Sequence, residues 1–202
     1  MKSYTIQKTC GAPNWEKIPA MVMEYLPWSD PVDIKAKTQI CWDAEALYIR
    51  QEAKEAVIRA EETGPLCMPC LDSCMEFFFR PTERAPYINV EINPNKAIYL
   101  GYGPVPRCLT RLLPPKVEEL FDIQVEFTAD GWVLCYRIPF MFIQWFFPEF
   151  EAKEGGVMHA NAYKCGNKTV RKHYMAWNPI EDRTNGFHCP QYFGELIFGG
   201  EQ

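Results

Sequence analysis

Short segments in which apolar and polar residues alternate recur along this chain, and turn residues separate one segment from the next. Many short strands with frequent turn signals are typical of sandwiches and barrels. Most of the 17 prolines lie between the segments, where a residue without an N–H group does not interrupt a sheet. We therefore predict an all-β fold, an antiparallel β-sandwich of the jelly-roll or immunoglobulin-like kind. The predicted strands are residues 20–25, 37–42, 47–53, 73–80, 87–93, 97–102, 123–128, 132–138, 157–163, 170–177 and 195–198.

Helical signals are confined to one aromatic-rich segment, residues 140–150, which follows Ile138 and Pro139. We predict one short helical segment there, with its rings closing one end of the core. Residues 112–116 have neither pattern and are predicted to form a loop.

The composition is that of a globular chain with a large core. With 202 residues and 48% hydrophobic content, one domain over residues 1–202 would bury roughly 70% of the surface of the unfolded chain. The 21 basic and 26 acidic residues are mixed along the chain, which argues against nucleic acid or a membrane as partner. The first residues lack the apolar core of a signal peptide, so a complete chain is expected in the cytoplasm, with secretion as the alternative. Nine cysteines are an odd number for a disulfide framework, and we expect most to be reduced thiols.

Two neighbouring predicted strands carry polar residues on one face. Side chains at alternate positions of a strand share a face, so Met75, Phe77 and Phe79 are predicted to lie in the core, with Cys74, Glu76 and Phe78 opposite. In the next strand Ile88, Val90 and Ile92 form the core set. The remaining side chains there, Tyr87, Asn89, Glu91 and Asn93, offer more polar groups than a turn requires.

The last fifty residues continue this polar face. In residues 157–163, His159, Asn161 and Tyr163 alternate with Met158, Ala160 and Ala162. In residues 170–177, His173 and Trp177 share a face, which we predict to be the same one as that of Glu76 and Tyr163. A tryptophan beside amides, a phenol and an imidazole suits a ligand with hydroxyl groups and flat C–H faces, which describes a sugar ring.

Several short motifs occur in an order and spacing that resemble a family 9-like carbohydrate-binding module, a β-sandwich of the DOMON-like group. The resemblance covers most of the chain. Its motifs are Trp42-Asp43-Ala44-Glu45-Ala46-Leu47-Tyr48, Asp72-Ser73-Cys74-Met75-Glu76-Phe77, Gly131-Trp132, Ile138-Pro139-Phe140, Asn161-Ala162-Tyr163, Met175-Ala176-Trp177 and Phe187-His188-Cys189-Pro190.

The resemblance implies non-catalytic binding of a mono- or oligosaccharide, and an association with glycoside hydrolases. It implies Trp177 as the aromatic platform, and as hydroxyl-binding residues Glu76, Asn89, Asn161 and Tyr163. Sugar binders of the family have a second tryptophan shortly before the Asp-Ser motif, whereas residues 67–71 of this chain contain no aromatic residue. Tyr87 is a candidate substitute, and His188 a candidate for closing the pocket.

Four alternatives stay open. Cys67, Cys70 and Cys74 could supply three thiolates to a metal, but no fourth ligand follows nearby, and we predict no metal. The related haem binders use a methionine and a histidine, and no such pair is recognisable, so no cofactor is predicted. Glu76 and Glu91 could be the two carboxylates of a glycosidase. A sandwich that has lost its ligand would serve structure or protein interaction, with Trp177 buried.

Overall fold

Thirteen strands form one continuous, curled sheet in the computed structural model, which describes residues 1–106, 108–182 and 184–201. Two short α-helices accompany the strands in these ranges, α1 (Val117–Phe121) and α2 (Phe140–Phe146). The strands are β1 (Ser3–Lys8), β2 (Met21–Val22), β3 (Lys35–Trp42), β4 (Ala46–Lys54), β5 (Cys74–Arg80), β6 (Tyr87–Ile92), β7 (Ile98–Gly103), β8 (Thr110–Leu112), β9 (Gln124–Thr128), β10 (Gly131–Pro139), β11 (Val157–Gly166), β12 (His173–Ala176) and β13 (Gly194–Glu201).

The strand order explains how one sheet becomes a sandwich. The main path is β8-β7-β6-β5-β11-β13-β1-β3-β4-β10-β9, with β12 beside β11 and β2 beside β3. Strand β1 joins the two halves. Its first residues pair with β13, whereas Gln7 and Lys8 pair with β3. The register shifts between Ile6 and Lys8, where the chain passes from one half to the other. We call the two halves the β5 half (β5 to β8, β11 and β13) and the β4 half (β3, β4, β9 and β10).

One hydrophobic cluster, the inner core, contains side chains of both halves. The alternation of β-branched and aromatic residues gives each strand an apolar face, and the two apolar faces meet. The β5 half contributes Phe77, Phe79 and Val90, and the β4 half contributes Ile49 and Trp132. A second cluster, the outer cluster, covers the opposite face of the β5 half. That half is therefore buried on both sides, unlike a sheet with one solvated face.

The predicted all-β sandwich is confirmed, with three corrections. The sheet is mixed rather than antiparallel, since β1 runs parallel to both of its neighbours. Two short helices are present instead of one, because α1 follows directly on the segment predicted to be a loop. Strands β1 and β8 were not predicted from the sequence. No helix in the described parts of the chain is long and apolar enough to cross a membrane.

A buried polar network connects the two halves at one end of the inner core. Glu55 follows β4 and is 4% exposed. Its Oε1 accepts a hydrogen bond from Trp132 Nε1 at 2.7 Å, and its Oε2 accepts one from Ser73 Oγ at 3.0 Å. The Nζ atom of Lys164, a fully buried residue of β11, lies 3.2 Å from Glu55 Oε1 and 2.8 Å from His173 Nε2. A charged pair is thus buried together with its hydrogen-bonding groups, which is the condition for tolerating it.

The geometry around His173 indicates a neutral ring. Nδ1 lies 2.8 Å from the carbonyl oxygen of Arg171, to which it donates, so Nε2 is free to accept from the Lys164 ammonium. Burial, and after it the nearby Lys164 charge, lower the pKa of His173 to about 4. An unfolded chain would take up this proton near the ordinary histidine pKa of about 6.5.

We expect this difference to make His173 a source of acid sensitivity. Above about pH 6.5 the ring is neutral in both states, and below that pH only the unfolded chain gains the proton. The free energy of unfolding of wild type, taken relative to that of His173→Gln, should therefore fall by about 3 kcal/mol as the pH is lowered from about 7 to 4. The measurement is urea unfolding of both proteins across this range. A difference that does not change with pH would contradict the assignment of a neutral ring.

Candidate functional site

The outer face of the β5 half contains a cavity of about 290 Å³. Carboxyl groups, thiols and aromatic rings share its lining, and no lysine or arginine is found among the described lining residues. This lining argues against an anionic ligand and favours a neutral one with hydrogen-bonding groups. The lining residues are Trp28, Met68, Cys70, Glu76, Glu91, Tyr99, Leu109, Cys165, Asn167, Tyr174, Gly186, Phe187 and His188.

Two glutamates are paired in this lining. Glu76 of β5 and Glu91 of β6 are cross-strand partners, and they are 3% and 6% exposed. Burial raises the pKa of Glu91 to about 7, although Asn89 and Arg111 lower it. Burial and then the neighbouring Glu91 raise the pKa of Glu76 well above its usual range. Near neutral pH the pair therefore retains a proton, so it can both donate to and accept from hydroxyl groups.

One wall of the cavity is aromatic. The Trp28 ring centroid lies 5.6 Å from that of Tyr174 and 5.5 Å from that of Phe187. Trp28 belongs to the connection between β2 and β3. Two contacts hold this connection against β12, where Tyr25 forms an isolated bridge with Ala176 and Ser29 Oγ hydrogen-bonds to the backbone of Tyr174. The half-buried Trp28 ring is thus held by its two aromatic neighbours and by the contacts of its connection, and part of it stays accessible from the cavity.

Tyr99 of β7 lines the cavity beside Glu91, its cross-strand partner. The Arg111 guanidinium lies 4.6 Å from the Tyr99 ring centroid and donates to the carbonyls of Leu66 and Cys67. Arg111 therefore fixes both the Tyr99 ring and the loop that leads to Cys70.

His188 also lines the cavity, as the resemblance suggested. Its Nδ1 lies 2.9 Å from the hydroxyl of the fully buried Tyr87, so Nε2 is the nitrogen available to a ligand. Burial lowers the pKa of His188 to about 4, which keeps the ring neutral near pH 7. Tyr87 itself is not among the lining residues, so the structure does not bring it to the place of a second platform.

Of the residues predicted to bind hydroxyl groups, Glu76 lines the cavity. Asn89 is not a lining residue, but it hydrogen-bonds to Glu91, which is one. Asn89 Nδ2 donates to Glu91 Oε1 at 2.8 Å, while its buried Oδ1 has no hydrogen-bond partner in the described structure. Gly101 makes room for this side chain, since a Cβ there would lie 2.0 Å from Asn89 Oδ1. Asn89 therefore positions the Glu91 carboxyl.

Asn161 and Tyr163 lie on the predicted face but outside the lining. Asn161 Nδ2 donates to the carbonyl of Asn178, and its Oδ1 accepts from the Asn178 N–H. The Tyr163 ring is stacked on Phe187 with centroids 4.1 Å apart, and its hydroxyl donates to the Phe187 carbonyl. Both residues hold loops that surround the cavity.

The face predicted for His173 and Trp177 is wrong. In the β11–β12 ladder Tyr163 pairs with Ala176 and Gly166 pairs with His173, so Tyr174 and Ala176 share the outer face with Tyr163. Trp177 therefore lies on the opposite side, in the inner core, and is 5% exposed. Its ring covers Gly194, where a Cβ would approach Trp177 Cζ3 to 2.5 Å.

Sequence reasoning missed Trp28, Tyr99 and Tyr174 as lining residues. A signal for Trp28 was present, since a tryptophan within Pro27-Trp28-Ser29-Asp30-Pro31 stands in a turn-rich segment rather than in a strand. Tyr99 precedes Leu100, a residue of the inner core, and alternation therefore places Tyr99 on the outer face of β7.

The model of carbohydrate-binding family 9 matches residues 12–198, nearly the whole chain. The chain belongs to carbohydrate-binding family 9. No curated protein matches its sequence.

Solved structures share the fold of this family 9 chain. A protein from Bacteroides uniformis ATCC 8492, whose proposed role is carbohydrate binding, is 26% identical, with a TM-score of 0.84 over 98% of this chain and 99% of its own. A family 9 module from Caldicellulosiruptor kristjanssonii in complex with cellotriose is 14% identical, with a TM-score of 0.72 over 100% of this chain and 95% of its own. A family 9 module from the same organism in complex with glucose is 16% identical, with a TM-score of 0.69 over 100% of this chain and 97% of its own.

Proposed function

We propose that this chain binds a neutral mono- or oligosaccharide, without catalysis, in the cavity of the β5 half. The observation that carries the proposal is the pair of buried carboxyl groups, Glu76 and Glu91, facing an aromatic wall within one cavity. Family membership and the glucose and cellotriose complexes of the Caldicellulosiruptor modules support a sugar as the ligand.

In this proposal Trp28 takes the stacking role that the sequence assigned to Trp177. A tryptophan face against the C–H groups of a pyranose contributes about 0.5–1.5 kcal/mol beyond burial. Each hydroxyl group that hydrogen-bonds to Glu76, Glu91 or His188 adds roughly 0.5–1.5 kcal/mol. After the cost of association these contacts amount to an affinity of about micromolar to millimolar.

We expect Trp28→Ala to weaken sugar binding by roughly tenfold or more, because it removes the stacking face and opens the cavity wall. The measurement is calorimetric titration with glucose, cellotriose and a panel of other neutral sugars. The matched control is Trp145→Ala, which truncates a 53% exposed tryptophan of α2 outside the cavity lining and should leave affinity unchanged. Equal affinity of wild type and Trp28→Ala for every sugar that binds would overturn the assignment of Trp28.

The paired glutamates also permit a check on catalysis. The same oligosaccharides, incubated with the wild-type chain and analysed for new reducing ends, should be recovered intact. Cleavage that Glu76→Gln and Glu91→Gln abolish would replace binding by hydrolysis as the function. An association with glycoside hydrolases stays a prediction of the family resemblance.

A further inference from the structure

Three potential metal ligands meet beside the cavity, and two of them, Glu76 and Cys165, belong to its lining. Cys74 of β5 and Cys165 of β11 are cross-strand partners, and Glu76 lies two positions after Cys74 on the same face. One ligand atom from each of Cys74, Glu76 and Cys165 lies within 4.8 Å of the other two, and all three residues are buried. Around a zinc ion, corners of a tetrahedron are about 3.3–3.8 Å apart, so a small adjustment would enclose one.

The hydrogen bonding of Glu76 is unusual for a buried carboxyl group. Its side chain accepts a hydrogen bond from a thiol, since Cys165 Sγ lies 2.9 Å from Glu76 Oε1. A thiol is a weak donor, whereas buried carboxyl groups are normally matched by a cation or by N–H groups. The cluster thus packs together three groups that can each give up a proton to a bound cation.

We propose that Cys74, Cys165 and Glu76 form a binding site for a thiophilic divalent cation such as Zn²⁺. Two sulfur donors and one carboxylate oxygen suit Zn²⁺ and disfavour Ca²⁺ or Mg²⁺, which prefer oxygen alone. The cation displaces the protons of the two thiols and of any protonated Glu76, and these protons pass to the solvent. The site follows from this geometry alone and does not depend on sugar binding.

One further cysteine of the cavity lining, Cys70, is the candidate for completing the coordination. Cys70 lies in the short 3₁₀ turn Pro69–Leu71, and its carbonyl oxygen is 3.6 Å from Cys165 Sγ. Its side chain lines the same cavity as Glu76 and Cys165, so it is the candidate fourth ligand. The ligand set differs from the Cys67, Cys70 and Cys74 run considered from the sequence, because it includes Cys165 from a strand distant in the chain and omits Cys67.

The first experiment is titration of the reduced, metal-free wild-type chain with Co²⁺, followed by Zn²⁺. We expect one equivalent of Co²⁺ to give thiolate-to-cobalt charge-transfer absorption and the visible bands of tetrahedral cobalt, both removed by Zn²⁺. Cys74→Ser and Cys165→Ser should weaken binding by on the order of 100-fold or more, since even groups that only orient metal ligands are worth roughly 10- to 100-fold. Cys108→Ser, at an exposed cysteine, is the matched control and should bind as wild type does.

A second measurement needs no variant. X-ray absorption at the zinc edge of the wild-type complex should show two or three sulfur neighbours at roughly 2.3 Å, three if Cys70 is the fourth ligand. A zinc environment of nitrogen and oxygen alone would overturn the site. So would a wild-type chain with reduced thiols that gives no thiolate band, or a Cys108→Ser variant that loses the band as fully as Cys165→Ser.

Discussion

Lys164→Met is expected to lower the free energy of unfolding by about 3–5 kcal/mol, because it leaves the buried Glu55 carboxylate without its cation. Lys164 and Glu55 have side chains that are 0% and 1% exposed, and Nζ lies 3.2 Å from Oε1. Methionine fills a similar volume, so lost packing contributes little. For a chain of this length the corresponding fall in Tm is roughly 10 °C. Urea and thermal unfolding at neutral pH measure both quantities.

Two controls separate the buried ion pair from other effects of the substitution. In Lys164→Met with Glu55→Gln the uncompensated charge is gone, and Gln can still accept from Trp132 Nε1, so much of the stability should return. Lys54→Met removes an exposed pair with Asp130, with side chains 53% and 58% exposed, and should leave Tm nearly unchanged. A Lys164→Met chain as stable as Lys54→Met would show that the pair contributes nothing to the fold.

The same network shows what alternation in the sequence could not predict. Lys164 follows Tyr163 in β11 and therefore faces the inner core, a position where a sequence pattern predicts an apolar residue. Its carboxylate partner Glu55 is distant in the chain, at the end of β4, and His173 lies in the neighbouring strand β12. Burial of a lysine depends on these neighbours, and no local pattern records them.

Strand faces were predictable where the alternation was clear. In β5 and β6 the inner positions are methionine, phenylalanine, isoleucine and valine, and these residues do form the inner core. For that reason Glu76 was placed correctly on the outer face and Asn89 beside it. The polar residues on that face are buried rather than solvated, because loops after β2 and β12 cover them. Loop positions are set by tertiary contacts such as that of Ser29 with Tyr174.

Strand β12 shows the limit of this reasoning. Its two faces, His173 with Met175 and Tyr174 with Ala176, are equally mixed in polarity, so the alternation does not say which faces the core. Only the register with β11 decides, and a shift of one residue exchanges the faces. The family resemblance implied Trp177 as the platform, and the mixed polarity of β12 gave no sign against it, whereas Trp28, in a connecting loop, lines the cavity.

Trp177→Ala is expected to lower the free energy of unfolding by about 3–5 kcal/mol, the usual cost of replacing a buried tryptophan by alanine in a packed core. The ring is 5% exposed and lies in the inner core against Gly194 of β13. The milder Trp177→Phe should retain the fold and bind sugar with nearly the affinity of wild type, because the ring does not line the cavity.

Stability and sugar affinity, both measured for the substitutions of Trp28 and of Trp177, distinguish the roles of the two tryptophans. If Trp177 is a core residue, its substitutions change the unfolding free energy and spare the affinity of the folded chain, while Trp28→Ala does the reverse. A Trp177→Phe variant that keeps the stability of wild type but loses sugar binding would restore the platform role and place the ligand elsewhere. Because stacking on a ligand and packing in a core both require a large ring, the residue type alone cannot distinguish them, and only the pair of measurements can.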